Sequence, residues 1–221
     1  MRSIGRHFVL RIFILVLLAL PALAANAPTL SLAVDASEAP RKIFHARVRI
    51  AASPGTVTLY YPKWIPGEHA PTGPIDDLAG LKFSASGKAL KWRRDLLDGW
   101  AIHVELPPGE NEILADLDYL APASLRGGYS SGSSVTDKLA IVSWNQVLLY
   151  PKGWKSDEIM VSASLKIPDG WKYATPLPLS NAAGNDLHFA QVTLTTLIDS
   201  APLSFRWGRR MRSAARWSGA A

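Results

Sequence analysis

The sequence predicts an all-β fold, a β-sandwich or open-barrel-like domain of mostly antiparallel strands. Three observations predict it. Apolar and polar residues alternate in short runs, turn formers separate those runs, and no 3.6-residue apolar period is sustained beyond two helical turns. Strands at that close spacing favour two packed sheets or an open barrel.

The elements follow in order. Alternation begins at residues 30–34 and returns at 43–50 and 57–61. Ser53-Pro54-Gly55 lies between the second and third runs, where proline presets one dihedral and glycine accepts a positive one, so these two runs are predicted to form a hairpin. A short turn is expected around 75–81. Residues 81–85, 89–92 and 100–106 continue the rhythm, with Ser86-Gly87-Lys88 as a turn and Trp92 and Trp100 bracketing a second hairpin, both mostly in the core. Pro107-Pro108-Gly109 breaks the pattern before 112–120, where Asp116 and Asp118 take one face and Leu117 and Tyr119 the other. Residues 121–138 shift to Gly, Ser and Ala and read as a long mobile loop. Strands resume at 139–144, 159–167 and 187–197.

Charge is unevenly placed. Of the 24 Lys and Arg, three lie in the first 11 residues and five in the last 16, and neither segment holds an acid. The remaining 16 face all 18 Asp and Glu across residues 12–205, so the folded body is not basic and no nucleic-acid partner is expected. The chain has no cysteine, which excludes a disulfide framework, a thiolate metal site and a cysteine nucleophile.

Residues 1–25 have the form of a signal peptide. Arg2, Arg6 and Arg11 precede an apolar run over 12–20, and Ala22-Leu23-Ala24 supplies the small residues of a cleavage site. The run is short against the roughly 20 residues that cross a bilayer core. The expected location is periplasmic or secreted, with membrane contact only transient through this leader; an uncleaved anchor would leave the same body facing outward.

The densest segment is 60–75, with four prolines and two glycines among its 16 residues. Such a backbone is fixed and irregular, which is where recognition commonly sits. Trp64, Ile65, Pro66, Gly67, Glu68 and His69 are the candidate peptide-contacting loop. In the plainer reading, Trp64 and Ile65 plug an open end while Glu68 and His69 face water. Glu68 and His69 are adjacent, yet a hydrolytic zinc site commonly needs two histidines one helical turn apart, a third ligand and a glutamate base. The five histidines are scattered singly and no His-Glu-x-x-His occurs. His45 and His103 sit within strand patterns and are expected to be structural. There is no Gly-x-Ser-x-Gly elbow, and Gly127-Gly128 follows no strand-to-helix switch. Asp76-Asp77 and Asp157-Glu158 read as solvated faces or caps. Trp154 and Trp171 follow tight turns and suit packing over a sheet end as well as they suit stacking on a ligand.

At Tyr61-Pro62-Lys63-Trp64-Ile65-Pro66-Gly67 the sequence resembles the N-terminal domain of the glycyl-aminopeptidase family of zinc metallopeptidases (metallopeptidase family sixty-one), which carries a Pro-x-Trp-x-Pro-Gly loop. Gly73-Pro74-Ile75 with Asp77-Leu78-Ala79-Gly80-Leu81, Ser143 to Pro151, and Thr195-Thr196-Leu197-Ile198-Asp199-Ser200 extend the resemblance. It implies an N-terminal β-domain that leads into a helical, thermolysin-like domain holding zinc through His-Glu-x-x-His and a distant glutamate. None of those ligands has a counterpart here. The implied role is a non-catalytic, substrate-side scaffold with no catalytic or metal residue, no cofactor in this chain, and zinc only in the missing catalytic domain. The implied partners are a peptidase catalytic domain, if one is encoded nearby, and peptide.

These readings divide the chain into a leader over 1–25, the β-domain over 26–203 and a basic, disordered tail over 204–221 with no core partner. A frameshift or gene break before the catalytic half is the expected origin of that ending; a real basic tail touching anionic lipid or nucleic acid is the alternative. The competing function is a free-standing periplasmic module that binds peptide or glycan through exposed tryptophans. An unproductive fragment, left with an uncovered apolar face, is a third reading.

Overall fold

Half-buried strands dominate this chain because its apolar residues recur at every second position, which a pleated backbone directs to one face. The computed structural model describes residues 28–65, 69–122, 134–200 and 203–207. The leader, most of the Gly/Ser-rich segment, Pro66 to Glu68 and residues 208–221 lie outside the described residues. The strands are β1 (Thr29–Asp35), β2 (Ile43–Ala51), β3 (Gly55–Tyr60), β4 (Leu78–Ala85), β5 (Lys88–Ala89), β6 (Trp92–Arg94), β7 (Ala101–Leu106), β8 (Glu112–Leu120), β9 (Ser134–Val135) and β10 (Leu139–Val142). They continue as β11 (Tyr150–Pro151), β12 (Met160–Lys166), β13 (Trp171–Ala174), β14 (Leu179–Ala183), β15 (Asp186–Phe189), β16 (Val192–Thr193) and β17 (Leu203–Trp207). A short helix, α1 (Leu194–Asp199), and three single 3-10 turns complete the described elements.

The large sheet runs β14-β15-β12-β1-β2-β8-β4-β5 without closing, and β16 adds to β12. A second sheet is ordered β13-β17-β10-β9, and a third β11-β3-β7-β6. Pairing is antiparallel apart from β1 with β12. The fold is therefore all-β with open sheets, and among the described residues no sheet closes into a barrel.

One apolar core joins the three sheets. Leu30, Leu32 and Val34 of β1, Phe44, Val48 and Ile50 of β2, and Ile113, Leu117 and Tyr119 of β8 meet Leu59, Ile102 and Val104 of the third sheet and Phe205 of the second. The opposite face of β2 and β8 is a solvated charge ladder. His45 Nδ1 lies 2.6 Å from Asp118, Arg47 Nε donates to Asp116 at 2.7 Å, and Arg49 donates to Glu112 at 3.0 Å. Asp116 and Asp118 thus face water and Leu117 and Tyr119 face the core, as their alternation predicts.

Four expectations need correction. First, β2 and β3 do not pair: β2 lies between β1 and β8, whereas β3 lies between β11 and β7. The Ser53-Pro54-Gly55 link, with Gly55 at φ +121°, carries the chain from one sheet to another. Second, residues 187–197 are not one strand. Leu194 and Leu197 are both buried three positions apart, a helical spacing, and the Thr193 hydroxyl caps α1 by accepting the Thr196 N–H at 3.1 Å. Third, Trp92 is an edge residue that packs against Phe83 with ring centroids 5.6 Å apart and stays partly exposed. Fourth, the chain beyond residue 203 does have a core partner. β17 is the interior strand between β13 and β10, and Phe205 packs between Phe44 at 6.5 Å and Trp171 at 5.7 Å.

Candidate functional site

The prolines of 60–75 withhold backbone donors, so this excursion has to be held by the groups around it. Its root is Tyr61, fully buried, whose hydroxyl donates to the Gln146 carbonyl at 2.9 Å while its N–H donates to the Trp100 carbonyl. Burial, with Tyr119 and Asp77 nearby, pushes the Tyr61 hydroxyl well above its ordinary range, so it stays a neutral donor. Gly73 closes the loop: its N–H donates to the Lys63 carbonyl at 2.9 Å, and its own carbonyl accepts the Trp100 indole N–H at 2.9 Å. A methyl group on Gly73 would stand 1.9 Å from the Pro62 carbonyl oxygen, so only glycine fits. Lys63 then reaches Asp98 at 3.1 Å and lies 4.9 Å over the Trp100 ring.

On this clamp the six candidate residues part company. Ile65 is buried at 7% exposure, which is the plug reading. Trp64 is 63% exposed and is no plug. His69 is also exposed, and it is not joined to another titratable group in any described contact. Pro66, Gly67 and Glu68 lie outside the described residues.

The segments singled out by resemblance are brought together. Tyr61 bonds to Gln146 as above; Tyr150 pairs with Tyr60 across β11 and β3, their rings 5.9 Å apart. Ser143-Trp144-Asn145-Gln146 is a buried 3-10 turn closed by a capping box, in which the Ser143 N–H donates to Gln146 Oε1 at 3.1 Å. Trp144 meets Phe189 edge-on at 5.3 Å. Asp77 is buried, against the expectation of a solvated face, while Asp76 is exposed.

Sequence reasoning missed one constellation. His103 Nε2 lies 2.8 Å from Asp95 and its Nδ1 lies 3.0 Å from the Thr58 hydroxyl. The order hydroxyl, imidazole, carboxylate suggests nucleophilic catalysis, but the geometry is that of a ladder. Thr58 and His103 are direct cross-strand partners on β3 and β7, and Asp95 turns back from the end of β6. Alternation could place Thr58 and His103 on strands; only the pairing register reveals their contact. A hollow of 360 Å³ beside β4 and β8 is lined by Arg49, which pairs with Glu112, by Ser86, which pairs with Glu110, and by Ser84 and Asn111.

Comparison with known proteins bears on this loop-bearing β-domain directly. The family described as the peptidase M61 N-terminal domain matches residues 31–204. The chain belongs to that family. No curated protein matches this M61 N-terminal domain. Among solved structures, it is similar to an aminopeptidase N family protein from Idiomarina loihiensis at TM-score 0.65 and 16% identity, covering 80% of this chain and 29% of that one. An M1 zinc metallopeptidase from Deinococcus radiodurans gives TM-score 0.45 at 13% identity, covering 82% of this chain and 41% of that one. At such identities the first likeness carries the fold alone. This chain spans less than a third of the first structure's length.

A metallopeptidase family raises the question of zinc. Among the described residues no three His, Asp or Glu side chains converge; His45 meets Asp118, and His103 meets Asp95, each as one carboxylate and one imidazole. These donor sets do not fit a zinc ion, which commonly takes three or four protein ligands, and no step is derived through one.

Proposed function

We propose that this M61 N-terminal domain is an exported, non-catalytic scaffold that walls the substrate side of a zinc aminopeptidase whose catalytic domain and zinc lie elsewhere. The observation that carries this reading is the clamp within the span matched by the family: contacts among Lys63, Gly73, Asp98 and Trp100 brace the backbone beside Trp64, which is exposed. A side chain held out at 63% exposure on a rigid root is suited to touching a second body. The proposed contact loop is Trp64 through His69. Export rests on the leader at residues 1–25, with the periplasm or the exterior as the location.

The exposure of Trp64 also favours a second reading, a free-standing module that binds peptide or glycan by itself. Tryptophan fluorescence separates the two. In the scaffold reading, peptides and oligosaccharides give no saturable shift with this chain alone, and Trp64→Ala changes unfolding stability by no more than about 0.5 kcal/mol. A saturable shift that disappears in the folded Trp64→Ala variant assigns the chain to the binding-module class instead.

A further inference from the structure

The tip between β6 and β7 is built unlike the rest of the surface. Leu96 is 94% exposed and Leu97 99%. Single exposed leucines are ordinary, but two in succession on a braced turn are not explained by scatter. The turn is held from within: Asp95 Oδ1 accepts the N–H groups of Leu97 at 2.8 Å and Asp98 at 3.0 Å, and Ala101 donates its N–H to the Asp98 carbonyl at 2.9 Å. Both acids of the tip are turned to internal partners, Asp95 to His103 and Asp98 to Lys63. Both carboxylates of the tip are thereby already paired, while the two leucines are exposed.

The flank of the tip is cationic. Arg93 and Arg94 lie on β6 itself, Lys91 directly precedes that strand opposite Glu105, and Lys88 lies farther back on β5 of the large sheet. On the large sheet Arg47 and Arg49 each pair with a carboxylate. Among the described residues, no carboxylate lies within ion-pair distance of these four. Trp92, partly exposed, sits among them. An apolar point, an amphipathic indole and cations outside any described ion pair together match the chemistry of an anionic lipid surface.

We propose that the β6–β7 tip is a peripheral membrane contact, which inserts Leu96 and Leu97 into an anionic bilayer while Lys91, Arg93 and Arg94 meet its headgroups. The shape favours lipid over peptide. A peptide is taken in a groove or along an accessible strand edge, whereas these leucines project, and the adjoining edge strand β6 is three residues long and carries two arginines that discourage strand addition. Membrane contact is then not confined to the leader. The inference is independent of the scaffold reading.

The absence of cysteine makes a local probe available. A polarity-sensitive fluorophore is attached at Leu97→Cys in the full chain and, separately, at Ser31→Cys on the solvated face of β1. With phosphatidylglycerol vesicles the emission at position 97 shifts to the blue and rises several-fold, and bromolipids quench it. Position 31 stays unchanged, as does position 97 with phosphatidylcholine alone. Arg93→Glu/Arg94→Glu cuts the response at 97 several-fold, and so does high salt. Because the probe reports its own surroundings, adsorption through the leader does not imitate this result. An unshifted label at 97 on phosphatidylglycerol, an equal rise at 31, or no effect of the charge reversal overturns the proposal. A shift caused by a soluble acidic peptide and not by vesicles assigns the tip to a protein partner and overturns it too.

Discussion

Gly73 fixes the closing contact of the loop through its N–H bond to the Lys63 carbonyl. The methyl of an alanine there would meet backbone, the Pro62 oxygen at 1.9 Å and the Lys63 Cα at 2.9 Å, and backbone cannot swing aside like a side chain. Gly73→Ala is therefore expected to cost about 3 kcal/mol or more, or to abolish folding, because relief requires moving the chain at Pro62; urea unfolding measures it, and a loss under about 1 kcal/mol would contradict the clamp. Asp95 carries an acid sensitivity. The His103 hydrogen bond first, and then the Asp98 and Leu97 N–H groups, hold its carboxyl well below the usual carboxylate range. A carboxyl lowered by folding binds fewer protons in the native than in the unfolded chain, so its stabilisation is whole above about pH 4 and drains away as pH falls through the acid range. Asp95→Asn should be less stable than the parent at pH 7, with the gap closing toward pH 2; denaturation midpoints that stay equally separated across that range refute the assignment. Neither residue's role was legible in the sequence. Gly73 reads as one more turn former, and the partners of Asp95 depend on which strands pair.

Strands were legible where a side chain at every second position decides its face. The run 112–120 appears as β8 (Glu112–Leu120) with its apolar and acidic faces as expected, and 43–50 lies within β2 (Ile43–Ala51). Partners were less legible, because β2 and β3 follow one another across a proline-glycine turn and still enter different sheets. Pairing depends on the register of whole sheets, which local alternation does not encode. The end of the chain teaches the reverse lesson. Leu203, Phe205 and Trp207 alternate with Ser204 and Arg206, a strand pattern that the surrounding arginines obscured. With Phe205 wholly buried between two aromatic rings, Phe205→Ala is expected to cost about 3–5 kcal/mol. Thermal or urea unfolding checks this, and a variant as stable as the parent would remove β17 from the core.

At the scale of the whole molecule, the described residues place three sheets on one core, with a polar outer ladder on β2 and β8 and exposed apolar side chains at Trp64, Leu96 and Leu97 outside the strands. The motifs of the sequence pointed to the family, and the fold brings three of their residues together, since Tyr61, Gly73 and Gln146 are joined by hydrogen bonds directly or through Trp100. The proposed function places catalysis in another domain, and the most direct test of that proposal is turnover itself. The purified chain is incubated with aminoacyl-anilides and excess zinc, with and without chelator, and its bound metal is quantified. The account predicts no chelator-sensitive hydrolysis and no stoichiometric zinc; release of the anilide that a chelator stops, together with one zinc held per chain, would contradict it.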